Sequence, residues 1–336
     1  MSIDTPSRIP RLYSAHLGAC ATGHEWNKLT SIDFGEYTMG TPQKLTPHLW
    51  FDKEAKEAAH FYTSVFSDSK ITNVMTLRDT PSGDCDVVSF EIAGQSFMAI
   101  SAGPLFKFNP SVSFIISVDK KEDVDALWEK LSEGGEALMP LDSYPFSERF
   151  GWIQDKFGVS WQLILPGAEG DWRPRVVPSL MFVGKNCGRT EEAINFYTSV
   201  FKDSKVGQMV RYGPNQDPDK EGTIIFADFM LENQWFAAMD SAREHNFTFN
   251  EAISLIVSCN TQEEIDYYWK QLSAIPEAEQ CGWLKDKYGL SWQISPTVME
   301  GMMRSGSREQ IARVTQAFLK MKKFNIAELQ RAYDSQ

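Results

Sequence analysis

The chain writes HFYTSVFSDSK at residues 60–70 and NFYTSVFKDSK at 195–205. A second pair follows in the same order: GWIQDKFGVSWQL begins at Gly151 and GWLKDKYGLSWQI at Gly282. The first pair is offset by 135 residues (195 − 60) and the second by 131 (282 − 151). Two related segments in one order, at nearly one offset, mean a duplicated unit. Around the first copy, Ala58, Phe61, Tyr62, Val65 and Phe66 recur at the three-to-four spacing of one apolar helix face. The repeated aromatics therefore read as buried helix surface before they read as chemistry.

Each copy carries the same succession. LTPHLWF (45–51) reads as a short strand, followed by the FYTSVF helix. Four β-rich runs come next, KITNVMTL, DVVSFEIAG, QSFMAISAG and SVSFIISV, broken by Gly, Pro, Ser and Asp. DKKEDVDALWEKLSEGG (119–135) reads as a second helix stopped by Gly134 and Gly135, and EALMPL, FGWIQDK and VSWQLILP read as closing strands. The second copy runs from VPSLMFV (177–183) to SWQIS. The offset reaches 141 at the second helix (269 − 128), so the second copy gains about six residues near GPNQDPDKEG. It then loses about ten where the first has LMPLDSYPFSE.

The expected organisation is an extension over 1–44, units over 45–167 and 176–296, and a helical tail over 297–336. Ser307 with Gln310 makes a capping box for one tail helix, and Asn325 with Glu328 opens another.

A net charge of −12 argues against nucleic-acid or anionic-membrane partners, which want basic surface. Lys320, Lys322 and Lys323 read as a solvated helix face. No apolar run approaches the roughly 20 residues needed to cross a bilayer. Five widely spaced cysteines (20, 85, 187, 259 and 281) with no CxxC fit a reducing compartment without a disulfide frame. A cytoplasmic location is expected, with Arg8 and Arg11 in the acid-poor N-terminus leaving a mitochondrial transit peptide as the alternative.

PHLWF, FYTSVF, SFMAISAG, SFIISVD and DKFGVSWQL together resemble the glyoxalase/bleomycin-resistance, or vicinal-oxygen-chelate, superfamily. Within it they are similar to the PhnB-like branch, often labelled 3-demethylubiquinone-9 3-methyltransferase-like. The resemblance spans about residues 45–296, twice over. It implies an α+β fold of paired βαβββ units rolled into half-open cups. It implies an internal pseudo-dimer of tandem modules, with a homodimer as a further option. It also implies a small-molecule ligand and an enzyme of the metal-dependent lyase, isomerase or dioxygenase type. Such enzymes hold one divalent metal, Zn, Fe, Mn or Ni, that grips two oxygens of the substrate.

Carried over by position, the ligand set of the first module falls on His48 and Gln162, with Ser113 and Ser101 at places where relatives have stronger donors. His48 doubles as the candidate acid or base. In the second module Ser179, Ser254 and Gln293 take the matching places, and Asp240 stands where Ser101 does. The site is accordingly expected in the first module. Trp50, Phe97 and Trp152, with Met181, Trp235, Trp283 and Gln293 in the second module, are candidate pocket walls. Asp155 and Asp286 read as turn or cap residues. The alternative is a metal-free binding or sequestering protein. The methyltransferase label is disfavoured, because no Gly-rich strand-to-helix turn of the doubly wound type occurs.

Overall fold

The computed structural model describes residues 43–167 and 174–335. The expectations placed on the N-terminal extension, including Arg8, Arg11 and Cys20, lie outside the described residues. The first repeat contains β1 (Leu45–Phe51), α1 (Ala55–Val65), β2 (Lys70–Thr80), β3 (Gly83–Ile92), β4 (Gln95–Ser101), β5 (Val112–Ser117), α2 (Lys121–Ser132), β6 (Glu136–Tyr144), β7 (Ser147–Gln154) and β8 (Ser160–Ile164). The second contains β9 (Val176–Val183), α3 (Thr190–Val200), β10 (Lys205–Arg211), β11 (Ile224–Leu231), β12 (Gln234–Ser241), β13 (Ile253–Cys259), α4 (Gln262–Leu272), β14 (Trp283–Lys285) and β15 (Ser291–Pro296). The tail adds α5 (Thr297–Ser305), α6 (Arg308–Phe318) and α7 (Ile326–Asp334). Ser307 and Gln310 form the expected capping box, and Asn325 accepts from the Glu328 N–H.

The strands make two mixed sheets, and neither belongs to one repeat. One runs β14-β15-β13-β1-β4-β3-β2; the other runs β10-β11-β12-β9-β5-β8-β7-β6. The first half of each repeat therefore completes its sheet with the second half of the other. The junctions are the antiparallel pairs β1–β13, with His48 opposite Ser254, and β5–β9, with Ser113 opposite Ser179. This is the internal pseudo-dimer, built by exchange of halves.

Side chains alternate across each strand. In β1, Leu45, Leu49 and Phe51 enter the main core, and His48 and Trp50 face the other way. The main core joins both sheets with their helices, so the core faces of the sheets look inward and the opposite faces form two cups.

The repeated motifs fasten the two sheets together. The Tyr62 hydroxyl on α1 and the Trp161 indole N–H on β8 each donate to Asp155 Oδ2 at 2.8 Å. Asp155 Oδ1 accepts from the backbone of Phe157 and Val159 in its own turn. In the second repeat Tyr197 (2.7 Å) and Trp292 (2.9 Å) donate to Asp286, which accepts from Tyr288 and Leu290 N–H. Burial pushes both carboxyls above their ordinary range, and these hydrogen bonds oppose that shift. Since α1 lies on the seven-stranded sheet and β8 in the eight-stranded one, each Tyr–Asp–Trp strap ties one sheet to the other. Asp155 and Asp286 are turn residues, as expected, and they are also the hubs of these straps.

Candidate functional site

The cup of the seven-stranded sheet gathers residues from both repeats. His48 and Trp50 come from β1, Met98 and Ile100 stand opposite them on β4, and Ser254 is the β13 partner of His48. Trp283 pairs with Gln293 across β14 and β15. The Gln293 amide donates to Ser254 Oγ at 2.9 Å. The His48 ring lies edge-on to Trp283 at 5.4 Å between centroids, and Trp283 lies 5.9 Å from Trp50. Trp50 is fixed by its indole N–H, which donates to Gly103 O at 2.8 Å.

His48 is the unusual member. It is 4% exposed, and its Nδ1 has no hydrogen-bond partner. Burial lowers its pKa from 6.5 to about 3, so the ring is neutral at physiological pH. Two charged side chains on this face are paired: Lys285 with Glu251 at 2.7 Å, and Glu91 with Lys70 at 3.1 Å. The cup face thus presents paired charges, aromatic rings and two buried polar atoms without a hydrogen-bond partner, His48 Nδ1 and Ser291 Oγ.

The cup of the eight-stranded sheet has the same plan and different contents. Ser179 replaces His48 and Met181 replaces Trp50. Gln162 donates to Ser113 Oγ at 2.8 Å, the counterpart of Gln293 and Ser254. Trp152, the counterpart of Trp283, donates to Ser160 Oγ at 2.6 Å. Trp152 is packed with Met139, Phe150, Met181 and Val183, against Tyr144 and Phe146 of the β6–β7 hairpin. Trp235 packs with Val177 and Ala237. This cup is filled by its own side chains.

Several expected site residues therefore separate. His48 and Gln162 stand on different sheets, because the halves of the repeat are exchanged, so the expected pair does not come together. The site expected within the first repeat is instead shared between repeats, and Gln293 is the glutamine on the His48 side. Ser113, Gln162 and Trp152 belong to the filled cup. Ser101 and Asp240 hold helix N-termini: Ser101 Oγ accepts from Ala55 N–H, and Asp240 accepts from Thr190 N–H, Thr190 Oγ1 and Ile224 N–H. Phe97 points into the main core, stacked on Phe90 at 5.4 Å.

The tail helices pack beside this same sheet. The second repeat lacks a β6, and the missing strand is the loss visible opposite LMPLDSYPFSE. In its place the tail meets the start of β14. Cys281 N–H donates to Met321 O (2.8 Å) and Gly282 N–H to Lys322 O (2.7 Å). At its other side α6 lies against β2, where Gln316 donates to Asp79 O at 3.4 Å. β14 and β2 are the two edges of the seven-stranded sheet. The core side of that sheet is occupied by α1, α4 and the other sheet, and the tail packs as its own cluster of Met302, Val314, Phe324 and Leu329. The tail therefore touches both edges of the sheet that carries the His48 cup.

A metal was tested against these donors. Among the described residues no three His, Cys, Asp or Glu side chains come together. One imidazole, a serine and an amide already bonded to that serine do not make a divalent-cation site. The donor set does not fit the metal that the resemblance implied. Separately, a groove of about 680 Å³ opens beside Trp50, between Phe106, Phe108 and Phe157 and the Gly134–Gly135 turn. It holds no buried unpartnered polar group, so the cup is the stronger candidate site.

Two strand-exchanged sheets of βαβββ halves define a glyoxalase-type fold. Glyoxalase I from Zea mays shares it over 77% of this chain and 96% of that one, at 12% identity and a TM-score of 0.50. The family described as 3-demethylubiquinone-9 3-methyltransferase matches residues 43–164 and again 174–295, and the chain belongs to it. A PhnB protein from Bacillus cereus is 40% identical over 37% of this chain and 99% of its own length, with a TM-score of 0.35. A glyoxylase/bleomycin resistance protein/dioxygenase domain from a Frankia species is 16% identical over 37% of this chain and 91% of its own, with a TM-score of 0.29. No curated protein matches the chain. Among the described residues no helix is long and apolar enough to cross a membrane.

Proposed function

We propose that the chain binds one small, planar, uncharged oxygenated molecule in the His48 cup, without a metal. The observation that carries this reading is the orphaned Nδ1 of His48, buried beside the Trp283 ring on a sheet face that lacks the hairpin side chains packing its counterpart. A buried polar atom without a partner costs roughly 1–3 kcal/mol, which a ligand hydroxyl, enol or ring N–H recovers on binding. Trp50 and Trp283 supply apolar, polarizable walls for a flat ring, and Gln293 and Ser254 supply a second polar pair at its rim.

Binding is favoured over proton transfer. A general acid or base works best with a pKa near the operating pH, and His48 lies far below it. The methyltransferase activity in the family's name finds no support in the topology. The sheets are mixed and shared, without the parallel doubly wound crevice and Gly-rich turn of that cofactor site.

The test is calorimetric titration with 2-naphthol, beside 2-methoxynaphthalene, which has no donor. One site per chain is expected for 2-naphthol, at least tenfold tighter than for the ether. His48→Phe should remove that preference. Two equal sites per chain, or a preference that survives His48→Phe, would overturn the reading.

A further inference from the structure

We infer that the C-terminal helices are a hinged cover of the His48 cup, and that access to His48 runs through them. The inference concerns the cup assigned above as the binding site, and its test reads access without any ligand.

The argument starts from what closes each cup. In the eight-stranded sheet the closing element is β6, joined to β7 along a ladder from Glu136–Gln154 to Tyr144–Ser147. Its side chains, with those of the hairpin, fill the cup. In the seven-stranded sheet that strand is missing and residues 321–324 take its place at the edge of β14. The replacement is held by side-chain bonds as well as backbone ones, among them Lys323 with Asp266 at 2.5 Å, Lys322 with Glu279 at 3.4 Å and the Gln280 amide donating to Leu319 O at 2.9 Å. Two backbone hydrogen bonds join it to Cys281 and Gly282. Gln262 donates to Phe324 O (3.1 Å) and accepts from Ile326 N–H (2.9 Å).

Phe324 seats the hinge. Gly282 has φ +81°, and a Cβ there would stand 2.5 Å from the Phe324 ring, so the glycine is what lets the ring lie on the strand. The far end is held more weakly: among the described residues, one exposed 3.4 Å bond runs from Gln316 to Asp79 O. The tail's apolar side chains pack on one another, with Met299, Met303, Phe318 and Met321 around the Met302–Phe324 cluster. The cover is thus a cohesive body, firmly attached at β14 and lightly rested on β2. Such a body opens by rotation at its hinge without unfolding the sheet.

Diethyl pyrocarbonate modification, followed by peptide mass spectrometry at near-neutral pH, tests this. The chain carries its own references: His60 is exposed on α1, and His245 is half-buried beside the other sheet, bonded to Ser241. Two variants loosen the cover, Phe324→Ala at the hinge and a chain ending at Pro296. His48 should react at least tenfold faster in both, with His60 and His245 unchanged. Unchanged His48 reactivity in either folded variant would overturn the inference, since the walls alone would then bury the ring. A joint rise of His48 and His245 would overturn it too, because the tail would then support the whole fold rather than one cup. A naphthol site that persists while His48 access ignores the tail would sink the cover and leave the binding reading standing.

Discussion

The two cups share a plan and differ in what fills them. On one side Trp152, Met139, Phe150 and Met181 pack the cup from within; on the other Trp50, Trp283 and His48 stand on the cup face and a separate helical body meets both edges of the sheet. The difference traces to about ten residues. Where β6 is present, the hairpin supplies bulky side chains; where it is absent, the edge of β14 is met by a tail that packs mainly on itself. A duplicated fold has thus packed one cup with a hairpin and left its counterpart without that hairpin.

The comparison can be broken most severely at the straps. Asp155→Ala and Asp286→Ala each leave a buried tyrosine hydroxyl, an indole N–H and two backbone N–H groups without their acceptor. Each should cost about 3–5 kcal/mol in urea unfolding. Costs differing by more than about 2 kcal/mol would show that the straps are not equivalent. Next comes the shared glycine of the GW motif. Gly282→Ala meets positive φ and Phe324, and should cost about 2–3 kcal/mol while freeing the tail to limited proteolysis. Gly151→Ala instead meets the ring of Trp128, and should leave the tail's cleavage rate unchanged.

A pH comparison is sharper still. His48 has a folded pKa lowered to about 3, so between about 3 and 6.5 the unfolded chain binds the extra proton. Its contribution therefore falls as pH drops through that window. At pH 5 the native chain should have lost about 2 kcal/mol more, relative to pH 7, than His48→Gln. Ser179→Gln in the filled cup should show no such difference from the native chain. The smallest effect is on ligand: Trp283→Phe should weaken 2-naphthol about tenfold, roughly 1.4 kcal/mol, and Trp152→Phe should leave it unchanged.

Much of this was legible in the sequence. The duplication, the helix faces and the strand order follow from motif spacing and periodicity, because those signals are local. The strap tyrosines were legible as core and not as hydrogen-bond donors, since nothing near Tyr62 announces Asp155, far along the chain. The exchange of halves was illegible for a physical reason: β8 and β15 carry nearly the same residues, SWQL and SWQI, so pattern alone cannot say which one shares a sheet with β1. That single ambiguity sent Gln162 to the wrong cup. Phe97 is a different kind of miss. Its parity with Ala99, opposite to Met98 and Ile100, marks the core face, and period-two counting along β4 could have found it.

The covalent join between repeats has an evolutionary meaning. In a symmetric pair of single-repeat chains one gene writes both hollows, and every substitution appears twice. A histidine tuned for one pocket would be forced on the other, along with the burial cost of its unpartnered nitrogen. Fusion releases that coupling. Each cup draws strands from both repeats, yet its facing positions are written separately, so position 48 can hold a histidine while position 179 holds a serine.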